Sequence, residues 1–447
     1  MLKKEGDPVT PLMQHLRRIR YATFLGDAII LCCLSLVLVW IKKGTAILFF
    51  QYGWVMLCVL LALYASKSYE FGMHRSLEKI ILSTCAGTIA GYVISIPLIL
   101  FFPTRLPRIA MIGVIITSLI VIAFFHVLIE WFVRNTTPVE HTLVIGKEEH
   151  WADLFKEISE AVSNKIHVIG YINPTPSSIQ SFIEKTPHLS TIIVADRDKV
   201  DNPELMKVFR QLRDTRNNIF VRYLPSVTES CLGRIPLTMA NKFCQYYEIS
   251  FNIATPKAYS RALDLFVAGI GLLVALPIMV IIAIFIALTM GFPIIFTQQR
   301  IGLYGEPFTI HKFRTMTAKK SNRATFADQD QERITTLGQI LRKTRLDELP
   351  QLWDVLIGKM SLIGPRPEQP EFVKDFIKVI PFYNYRHRIR PGITGWAQVN
   401  YSYSASIEET KKKLEYDLYY LKNQSLLLDL QIVLRTIETM LGMRGAR

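Results

Sequence analysis

The sequence predicts a membrane protein of mixed fold class: a four-helix transmembrane bundle, a Rossmann-like α/β domain, and a second α/β domain that begins with a proline-broken hydrophobic helix. Four long apolar runs, a segment of alternating strand and helix patterns, and a fifth apolar run with a central proline predict these parts. Half of the 447 residues are hydrophobic, and the mean hydropathy is +0.25. The three parts are expected at residues 1–138, 139–250 and 251–447.

The first four apolar runs define the predicted bundle. Each run approaches or exceeds the roughly 20 residues that a helix needs to cross a bilayer. Nine basic residues flank the runs on the side that holds the N-terminus and Arg134, and four flank them on the other side, where Lys42 and Lys43 lie. This excess favours a cytoplasmic N-terminus and a cytoplasmic location for everything after Arg134. The predicted spans are residues 22–41, 47–66, 80–102 and 109–133.

The net charge of +15 indicates the kind of partner the chain binds. An excess of Lys and Arg on a hydrophobic chain favours anionic lipid headgroups or phosphate-bearing substrates. Nucleic acid is the other usual partner of a basic chain, but the apolar runs require a membrane, and we expect no nucleic acid. The six cysteines form no CxxC pair and no zinc-type spacing with histidine, so we expect buried, reduced thiols.

Residues 139–250 alternate strand and helix patterns, which is typical of a parallel α/β sheet. The segments HTLVIG, KIHVIGYI, LSTIIVAD and NIFVRYL predict strands, and HWADLFKEISEAV and PELMKVFRQLRDTRN predict helices. A dinucleotide-binding turn needs G-x-G-x-x-G after the first strand, whereas Gly146 stands alone in VIGKEEH. We therefore favour a structural, dimerising or regulatory role over nucleotide binding, and formation of a homodimer would be one such role.

The fifth apolar run, residues 263–290, is long enough to span a membrane and carries Pro277 at its centre. After four spans, a fifth crossing would export everything that follows residue 290. Proline removes a backbone donor and kinks a helix, so the run can instead enter one leaflet and return to the same face. An ordinary span with a tolerated proline is the alternative, and geometry alone does not choose between the two.

The stretch LRKTRLDELPQLWDVL places two adjacent carboxylates, Asp347 and Glu348, beside a group of cations. Thr344 and Asp347 fit a T-x-x-D capping box, which predicts a helix that starts near Thr344; a capped, solvated helix start is the simple interpretation. Neighbouring helical residues point about 100° apart, so the pair suits divided labour, in which one carboxylate reacts and the other holds a cation. We expect Arg342 and Arg345 to lower the pKa of Asp347 and keep it anionic, as a nucleophile towards phosphorus requires.

Further basic residues lie on predicted loops and strands near this pair. Pro365 and Pro367 fix the backbone on both sides of Arg366, which suits bidentate contact with a phosphate. Together the cations and carboxylates indicate a pyrophosphate substrate with a divalent metal. Magnesium (Mg²⁺) fits best, because it binds through one or two carboxylates plus substrate phosphates. The candidate substrate-binding cations are Arg300, Lys312, Arg314, Arg342, Arg366 and Arg390.

Five motifs occur in a characteristic order: YSRALDLFVAG, FTQQRIG, HKFRTM, TRLDELPQLWDVLIGKMSLIGPRP and RPGITGWAQVN. Together with the proline-broken helix they resemble the bacterial sugar transferase family, the polyprenyl-phosphate phosphoglycosyl transferases with a monotopic catalytic core. The resemblance covers about residues 257–447. The preceding spans and α/β domain resemble the long-form members that initiate exopolysaccharide or O-antigen synthesis.

The resemblance implies that the broken helix is re-entrant around Pro277, with Arg261 and Asp264 as a charged pair at its start. It also implies a multi-pass protein of the bacterial inner (cytoplasmic) membrane, with the catalytic domain in the cytoplasm. Asp347 would attack the β-phosphate of a UDP-sugar, giving a covalent phosphosugar and UMP, and polyprenyl (undecaprenyl) phosphate would then take the phosphosugar. Glu348 would bind Mg²⁺. The family cations that contact substrate phosphates match Arg342, Arg366 and Arg390.

Two rival functions remain open at the level of the sequence. A glycosyl transferase would pass the bare sugar to the lipid and release UDP instead of UMP. A membrane scaffold or regulator of polysaccharide assembly would keep an inactive catalytic domain. The sequence departs from the family pattern at Arg345, where serine is frequent, and no motif selects among glucose, galactose and the acetylated aminosugars.

Overall fold

The structure, a computed structural model, divides into two compact units, Met1–Leu232 and Gly233–Arg447. We describe each unit by itself. The three-domain boundaries expected from the sequence stay a prediction. The structure describes residues 11–41, 46–66, 68–69, 77–100, 108–173, 175–196, 207, 219–317, 334–401 and 406–440.

The first unit begins with four apolar helices, as the four runs predict. Among the described residues, three of them contain stretches that are long and apolar enough to cross a membrane, namely His15–Val37, Leu77–Ile96 and Ile112–Thr136. The described apolar part of the second helix, Tyr52–Tyr64, is shorter. The four helices are α1 (Pro11–Ile41), α2 (Ala46–Ala65), α3 (Leu77–Leu100) and α4 (Arg108–Thr136).

A polar cluster lies inside this apolar bundle. Asp27 of α1 is fully buried, and its Oδ2 accepts a hydrogen bond from Tyr69 OH at 2.7 Å and lies 2.8 Å from His126 Nε2 on α4. The other ring nitrogen of His126 lies 3.1 Å from the carbonyl oxygen of Ser68. Polar groups inside a membrane bundle need partners of this kind. The cluster therefore links α1, α4 and the turn that follows α2.

The described part of the α/β region is a four-stranded parallel sheet, which confirms the predicted parallel α/β architecture, while the Rossmann-like character stays a prediction. The strand order is β2-β1-β3-β4, and all three pairings are parallel. The helix predicted over PELMKVFRQLRDTRN lies outside the described residues. The elements are β1 (Glu140–Ile145), α5 (Glu148–Ala161), β2 (Ile166–Ile172), α6 (Pro176–Lys185), β3 (Thr191–Val194), β4 (Phe220–Tyr223) and α7 (Leu224–Leu232).

Trp151 packs close to the carboxyl ends of β1 and β3. These strands are neighbours where the strand order reverses, which is where sheets of this type bind nucleotides. A Cβ added to Gly146 would lie 3.1 Å from Trp151 Cδ1 and 3.2 Å from Ala195 Cβ, so the indole packs directly over the turn. Trp151 is only 3% exposed and belongs to the core. The dimerising and regulatory roles stay predictions.

Two side chains attach the membrane helices to the sheet. Glu140, at the start of β1, accepts a hydrogen bond at Oε1 from the backbone nitrogen of Leu12 at 2.8 Å. Lys165, just before β2, donates to the carbonyls of Arg134 and Thr137 at 3.0 and 2.8 Å. The beginning of α1 and the end of α4 therefore both meet the sheet.

The second unit is a mixed α/β structure built around one long apolar helix. An antiparallel hairpin, β5 with β6, and a short parallel pair, β7 with β8, supply its described strands. Its helices and strands are α8 (Leu237–Lys242), α9 (Cys244–Ile253), α10 (Ala258–Met290), β5 (Ile295–Ile301), β6 (Pro307–Phe313), α11 (Thr336–Lys343), α12 (Gln351–Leu356), β7 (Ser361–Ile363), α13 (Pro370–Val379), β8 (Gly392–Thr394), α14 (Trp396–Asn400), α15 (Ile407–Asn423) and α16 (Leu426–Met440).

Helix α10 runs without interruption through Pro277, so the broken helix of the prediction is one helix of 33 residues. Its first half packs through Ala268 on a cluster that includes Val355, and its second half packs through Ile282 on a cluster that includes Phe313. The face away from these clusters is exposed and apolar. Both halves therefore contact the same unit, and the membrane face that each end occupies stays a prediction.

The described cysteines are all free, as expected for reduced thiols, but they are not all buried. Cys32 and Cys33 are exposed on α1, and Cys244 is exposed at the start of α9. The expectation of six buried thiols was wrong because an apolar run on a bundle helix also has an outward face, where Cys32 and Cys33 lie.

Candidate active site

The two adjacent carboxylates lie on a short 3₁₀ turn, Leu346–Glu348, between α11 and α12. The predicted capping box is wrong. Thr344 ends α11, and its hydroxyl donates back to the carbonyl of Ile340 at 2.8 Å. Arg345 then adopts a left-handed backbone conformation with φ of 59°, which stops the helix and turns the chain. Asp347 and Glu348 are thereby held on a turn, and each is 8% exposed.

Glu348 lies among cations from three separate segments. Lys312 Nζ and Arg366 Nη2 each lie 3.2 Å from its Oε1, and Arg345 Nη1 lies 3.5 Å from its Oε2. Burial alone would raise the pKa of Glu348, but the charges of Arg366, Lys312 and Arg345 outweigh burial and lower the pKa to about 2. Glu348 is therefore a permanent anion at physiological pH.

The pKa of Asp347 is shifted in the opposite direction. Burial and the neighbouring charge of Glu348 raise the pKa of Asp347, against opposing contributions from Lys312 and Arg342. Arg342 contributes a lowering of this pKa, as expected, but the expected net lowering was wrong. Arg345 pairs with Glu348 instead, and the loss of solvent on burial outweighs the charge of Arg342.

Two further cations near the acidic pair lie on the β5–β6 hairpin and on α11. Lys312, near the end of β6, is 21% exposed at its side chain, and burial and the nearby charge of Arg366 lower its pKa. Arg342, in the last turn of α11, donates from Nε to Thr315 Oγ1 at 3.0 Å. The structure therefore brings together Asp347, Glu348, Lys312, Arg342 and Arg366, which the sequence predicted as one site.

The loop that carries Arg366 is held through its backbone. The carbonyls of residues 365, 366 and 367 each accept a hydrogen bond, which adds to the stiffness of the two prolines. The side chain of Arg366 remains directed at Glu348. The donors, in the order of those carbonyls, are Gly392 N at 3.0 Å, Arg386 Nη2 at 2.9 Å and Arg300 Nη1 at 3.2 Å.

Two predicted substrate-binding cations make backbone contacts elsewhere in this structure. Arg300 holds the carbonyl of Pro367 and lies 3.8 Å from Glu368, and burial lowers its pKa. Arg314 donates to the carbonyls of Phe292 and Met316, both at 3.1 Å. These contacts support the loop and the hairpin, and contact of either residue with substrate stays a prediction.

A second group of charged residues lies at the far end of α12. Arg261 donates to the carbonyls of Val355 and Leu356 at 2.7 and 2.8 Å, and so binds the C-terminus of the helix that starts just after Glu348. Asp264 is buried and accepts hydrogen bonds from Ser361 Oγ and Leu362 N at 2.9 and 2.8 Å.

Arg390 joins this second group rather than the acidic pair. Its Nε donates to the carbonyl of Gly358 at 3.1 Å, and its positive charge interacts with the carboxylate of Asp264. The bonds of Arg261 and Asp264 show how the helix start is joined to α12 and β7. A contact between Arg390 and substrate phosphate stays a prediction.

Sequence reasoning missed two buried acids whose contacts support the site. Asp354 of α12 is fully buried, and both of its carboxylate oxygens bind His311, one at the backbone nitrogen (3.0 Å) and one at Nδ1 (2.7 Å). Arg386 forms a buried pair with Asp417. An acid inside the apolar segment QLWDVL was the available signal for the first pair. Nothing local signalled the second, because its partners are far apart in the chain.

The residues present fit a divalent metal that arrives with a diphosphate. The described residues contain no group of three or more His, Cys, Asp or Glu side chains that could hold a metal without other ligands. Glu348 is an anionic oxygen donor at all physiological pH values, with Asp347 beside it. Mg²⁺ is commonly bound through one or two carboxylates, with substrate phosphates and water completing its shell.

Comparison with known proteins identifies the family. The family model described as bacterial sugar transferase matches residues 255–443. A UDP-glucose:undecaprenyl-phosphate glucose-1-phosphate transferase of Caulobacter vibrioides is 38% identical over 184 residues, which cover 40% of this chain and 69% of the relative. The chain therefore belongs to the bacterial sugar transferase family, as the motifs predicted.

Two further relatives are also similar. A UDP-N-acetylgalactosamine-undecaprenyl-phosphate N-acetylgalactosaminephosphotransferase of Aeromonas hydrophila is 41% identical over 235 residues, or 52% of this chain. A UDP-glucose:undecaprenyl-phosphate glucose-1-phosphate transferase of Escherichia coli (strain K12) is 32% identical over 275 residues, or 60% of this chain. The chain spans 54% and 58% of the lengths of these two relatives.

Proposed function

We propose that this protein transfers a hexose-1-phosphate from a UDP-sugar to polyprenyl (undecaprenyl) phosphate, releases UMP, and so initiates exopolysaccharide or O-antigen synthesis. The names of the similar proteins support the reaction class, since they describe the transfer of sugar phosphates to undecaprenyl phosphate. These names differ in the sugar, so the sugar of this chain stays open. The observation that carries the proposal is the pair of buried carboxylates. Burial and Glu348 destabilise the anionic form of Asp347, whereas the neighbouring cations stabilise the anionic form of Glu348.

Asp347 is the proposed nucleophile. Its carboxylate oxygen forms a bond to the β-phosphorus of the UDP-sugar, and the bond from that phosphorus to the bridging oxygen breaks, so that UMP leaves with the electron pair. Because burial and Glu348 destabilise the charged form of Asp347, bonding to phosphorus relieves an unfavourable charge. A phosphate oxygen of the polyprenyl phosphate then attacks the same phosphorus and restores the Asp347 carboxylate.

The surrounding cations would stabilise the charge of the two transfer steps. Lys312 and Arg366 lie at Glu348, and Arg342 acts electrostatically on Asp347, so each is near the position of a bound diphosphate. Glu348 would hold Mg²⁺ together with the substrate phosphates. When bound, the metal would neutralise phosphate charge and polarise the diphosphate. One diphosphate is exchanged for another, so positioning and charge neutralisation suffice.

We place the protein in the bacterial inner membrane with the second unit in the cytoplasm. The links from Glu140 to Leu12 and from Lys165 to Arg134 support one side for the N-terminus and the α/β sheet. Helix α10 contacts its own unit along both halves, which supports a helix that enters the membrane and leaves both flanks on one face. The nucleotide sugar would then arrive from water and the polyprenyl phosphate from lipid.

The released nucleotide tests the proposal. Membranes containing the protein are incubated with polyprenyl phosphate, Mg²⁺ and, in turn, UDP-glucose, UDP-galactose and their N-acetylated amino forms. We expect UMP from at least one of them and none from the Asp347→Asn variant. UDP as the product would instead indicate a glycosyl transferase, and the absence of either nucleotide across the panel would favour a scaffold.

A further inference from the structure

We infer that Arg386 is a positioning residue which, braced by Asp417 on α15, fixes the backbone of the Pro365–Pro367 loop and thereby keeps Arg366 at Glu348. The role of Arg366 at a diphosphate rests on the proposed function. The mechanical part, in which α15 determines the position of the loop, stands on the geometry of the protein itself.

The guanidinium of Arg386 is held against the Pro365–Pro367 loop by contacts at each of its nitrogens. It is 7% exposed. Its Nε and Nη2 lie 3.1 and 2.9 Å from Asp417 Oδ2, and its Nη1 donates to Tyr383 OH at 2.9 Å. Its Nη2 also donates to the carbonyl of Arg366 at 2.9 Å. A planar fork held by an acid and a phenol has little freedom to turn, so the loop carbonyl is held in one place.

The position of Arg386 gives it influence over the acidic pair. The carbonyl that it binds and the guanidinium that binds Glu348 belong to the same residue, Arg366. The side chain of Arg366 is 39% exposed, so packing alone does not fix its position. The anchoring of the loop backbone therefore decides how often the guanidinium lies at Glu348.

Asp417 is as buried as the residue that it braces. It is 3% exposed, and burial raises its pKa while the charge of Arg386 opposes that rise. A buried acid of this kind is retained only where a cation compensates it, and loss of either partner leaves an uncompensated charge. The pair is therefore a fixed link between α15 and the loop.

The same helix carries a matched control. Glu415 forms a buried ion pair with Arg234; the side chain of Glu415 is 12% exposed and that of Arg234 is 4% exposed. Glu415 also accepts from the backbone nitrogen of Leu237 at 3.0 Å. This pair attaches α15 to the segment before α8, whereas Asp417 pairs with the residue that binds the loop. We call the contact of Asp417 with Arg386, and of Arg386 with the loop carbonyl, the clamp. A general weakening of α15 would affect both ion pairs, whereas loss of the clamp would follow only from a change at Asp417 or Arg386.

Hydrogen exchange on the full-length, detergent-solubilised protein without metal tests the clamp directly. The amides of Gly392 and Ile301 donate to the carbonyls of Pro365 and Glu368, both at 3.0 Å, and so report opening of the loop. We expect Asp417→Asn to speed exchange at these two amides about tenfold, while Glu415→Gln leaves it unchanged. Arg386→Lys, which keeps the charge and loses the fork, is a second variant, with faster exchange expected in the same place.

A second readout connects the clamp to the site. In the UMP-release assay we expect Asp417→Asn to raise the UDP-sugar concentration needed for half-maximal rate about tenfold, because Arg366 would no longer be held at the diphosphate, with no such change for Glu415→Gln. Equal exchange at Gly392 and Ile301 in all variants, or equal acceleration by Glu415→Gln, would overturn the clamp. If the unaltered protein released no UMP, the proposed function would fail, and the exchange data would still decide the clamp.

Discussion

Asp347 and Glu348 are adjacent, equally buried carboxylates whose pKa values are shifted in opposite directions. Both are 8% exposed, yet burial and Glu348 raise the pKa of Asp347, whereas three cations overcome burial and lower that of Glu348 to about 2. The difference arises from partners: Lys312, Arg345 and Arg366 are all within 3.5 Å of Glu348. The anionic form is therefore destabilised in Asp347 and stabilised in Glu348.

This asymmetry predicts opposite effects of two isosteric changes on stability. A group with a raised pKa costs stability once it ionises, so at pH 7 Asp347→Asn should leave the thermal midpoint unchanged or raise it, while UMP release is lost. A group with a lowered pKa contributes stability above its unfolded value of 4.5, which is lost as pH falls towards 2. Glu348→Gln should therefore destabilise the protein at pH 7 by about 3 kcal/mol.

Thermal unfolding in detergent compares these two variants with Glu408→Gln. Glu408 is an acid on α15 whose side chain is 79% exposed, and its loss should change little. A lower midpoint for Asp347→Asn together with an unchanged midpoint for Glu348→Gln would contradict this account of the pair.

His387 predicts a loss of stability on the acid side. Burial and the charge of Arg386 lower the pKa of His387 from 6.5 to about 3. Between these two pH values the unfolded chain binds a proton at His387 and the folded protein does not. Stability on this account is complete above pH 6.5 and declines as pH falls towards 3; the loss at pH 5 is about 2 kcal/mol. His387→Phe removes the titration, keeps a ring against Tyr383, and should flatten this part of the curve.

Thermal midpoints at pH 7.5 and pH 5 measure the effect. The unaltered protein should lose more stability between these values than His387→Phe does. Equal losses would show that His387 does not carry the acid sensitivity.

Arg261 predicts an effect at a distance through α12. Because Arg261 binds two carbonyls at the end of the helix that starts after Glu348, Arg261→Lys should let this helix shift and slow UMP release about tenfold. Arg388→Lys is the matched control, since Arg388 also makes two bonds, both to Asn252. Equal rates of UMP release in both variants would show that Arg261 does not position the acidic pair.

The buried cluster of the bundle predicts a stability effect without a catalytic one. Asp27→Ala leaves Tyr69 and His126 without their shared partner and should destabilise the first unit by about 1–2 kcal/mol. Ser35→Ala is the control, because Ser35 bonds only within α1, to the carbonyl of Leu31. Limited proteolysis in detergent should show faster cleavage of the first unit for Asp27→Ala alone, and identical cleavage patterns would contradict the structural role.

Local patterns predicted the elements better than they predicted the contacts between them. Strand periodicity identified the parallel sheet, and the motif around Asp347 identified the acidic pair, because both depend on neighbouring residues. Thr344 was misread because its hydroxyl bonds backwards into α11 after Arg345 turns the chain.

The pKa of Asp347 was misjudged for a related reason. Nearby cations are visible in the sequence, but the loss of solvent is a property of the folded protein. The pairing of Arg386 with Asp417 likewise depends on tertiary contact between distant segments. Such contacts determine which predicted cations reach the acidic pair and which hold the backbone.

The central claim is that Asp347 carries the phosphosugar between the two half-reactions. Incubating the purified protein with a UDP-sugar labelled at the β-phosphate, in the absence of polyprenyl phosphate, and mapping the acid-quenched protein by mass spectrometry tests it most directly. We expect a burst of UMP equal to the amount of protein, with the label on the peptide that contains Asp347 and lost on addition of polyprenyl phosphate. UMP release only after the lipid is added, with no label on Asp347, would contradict the claim.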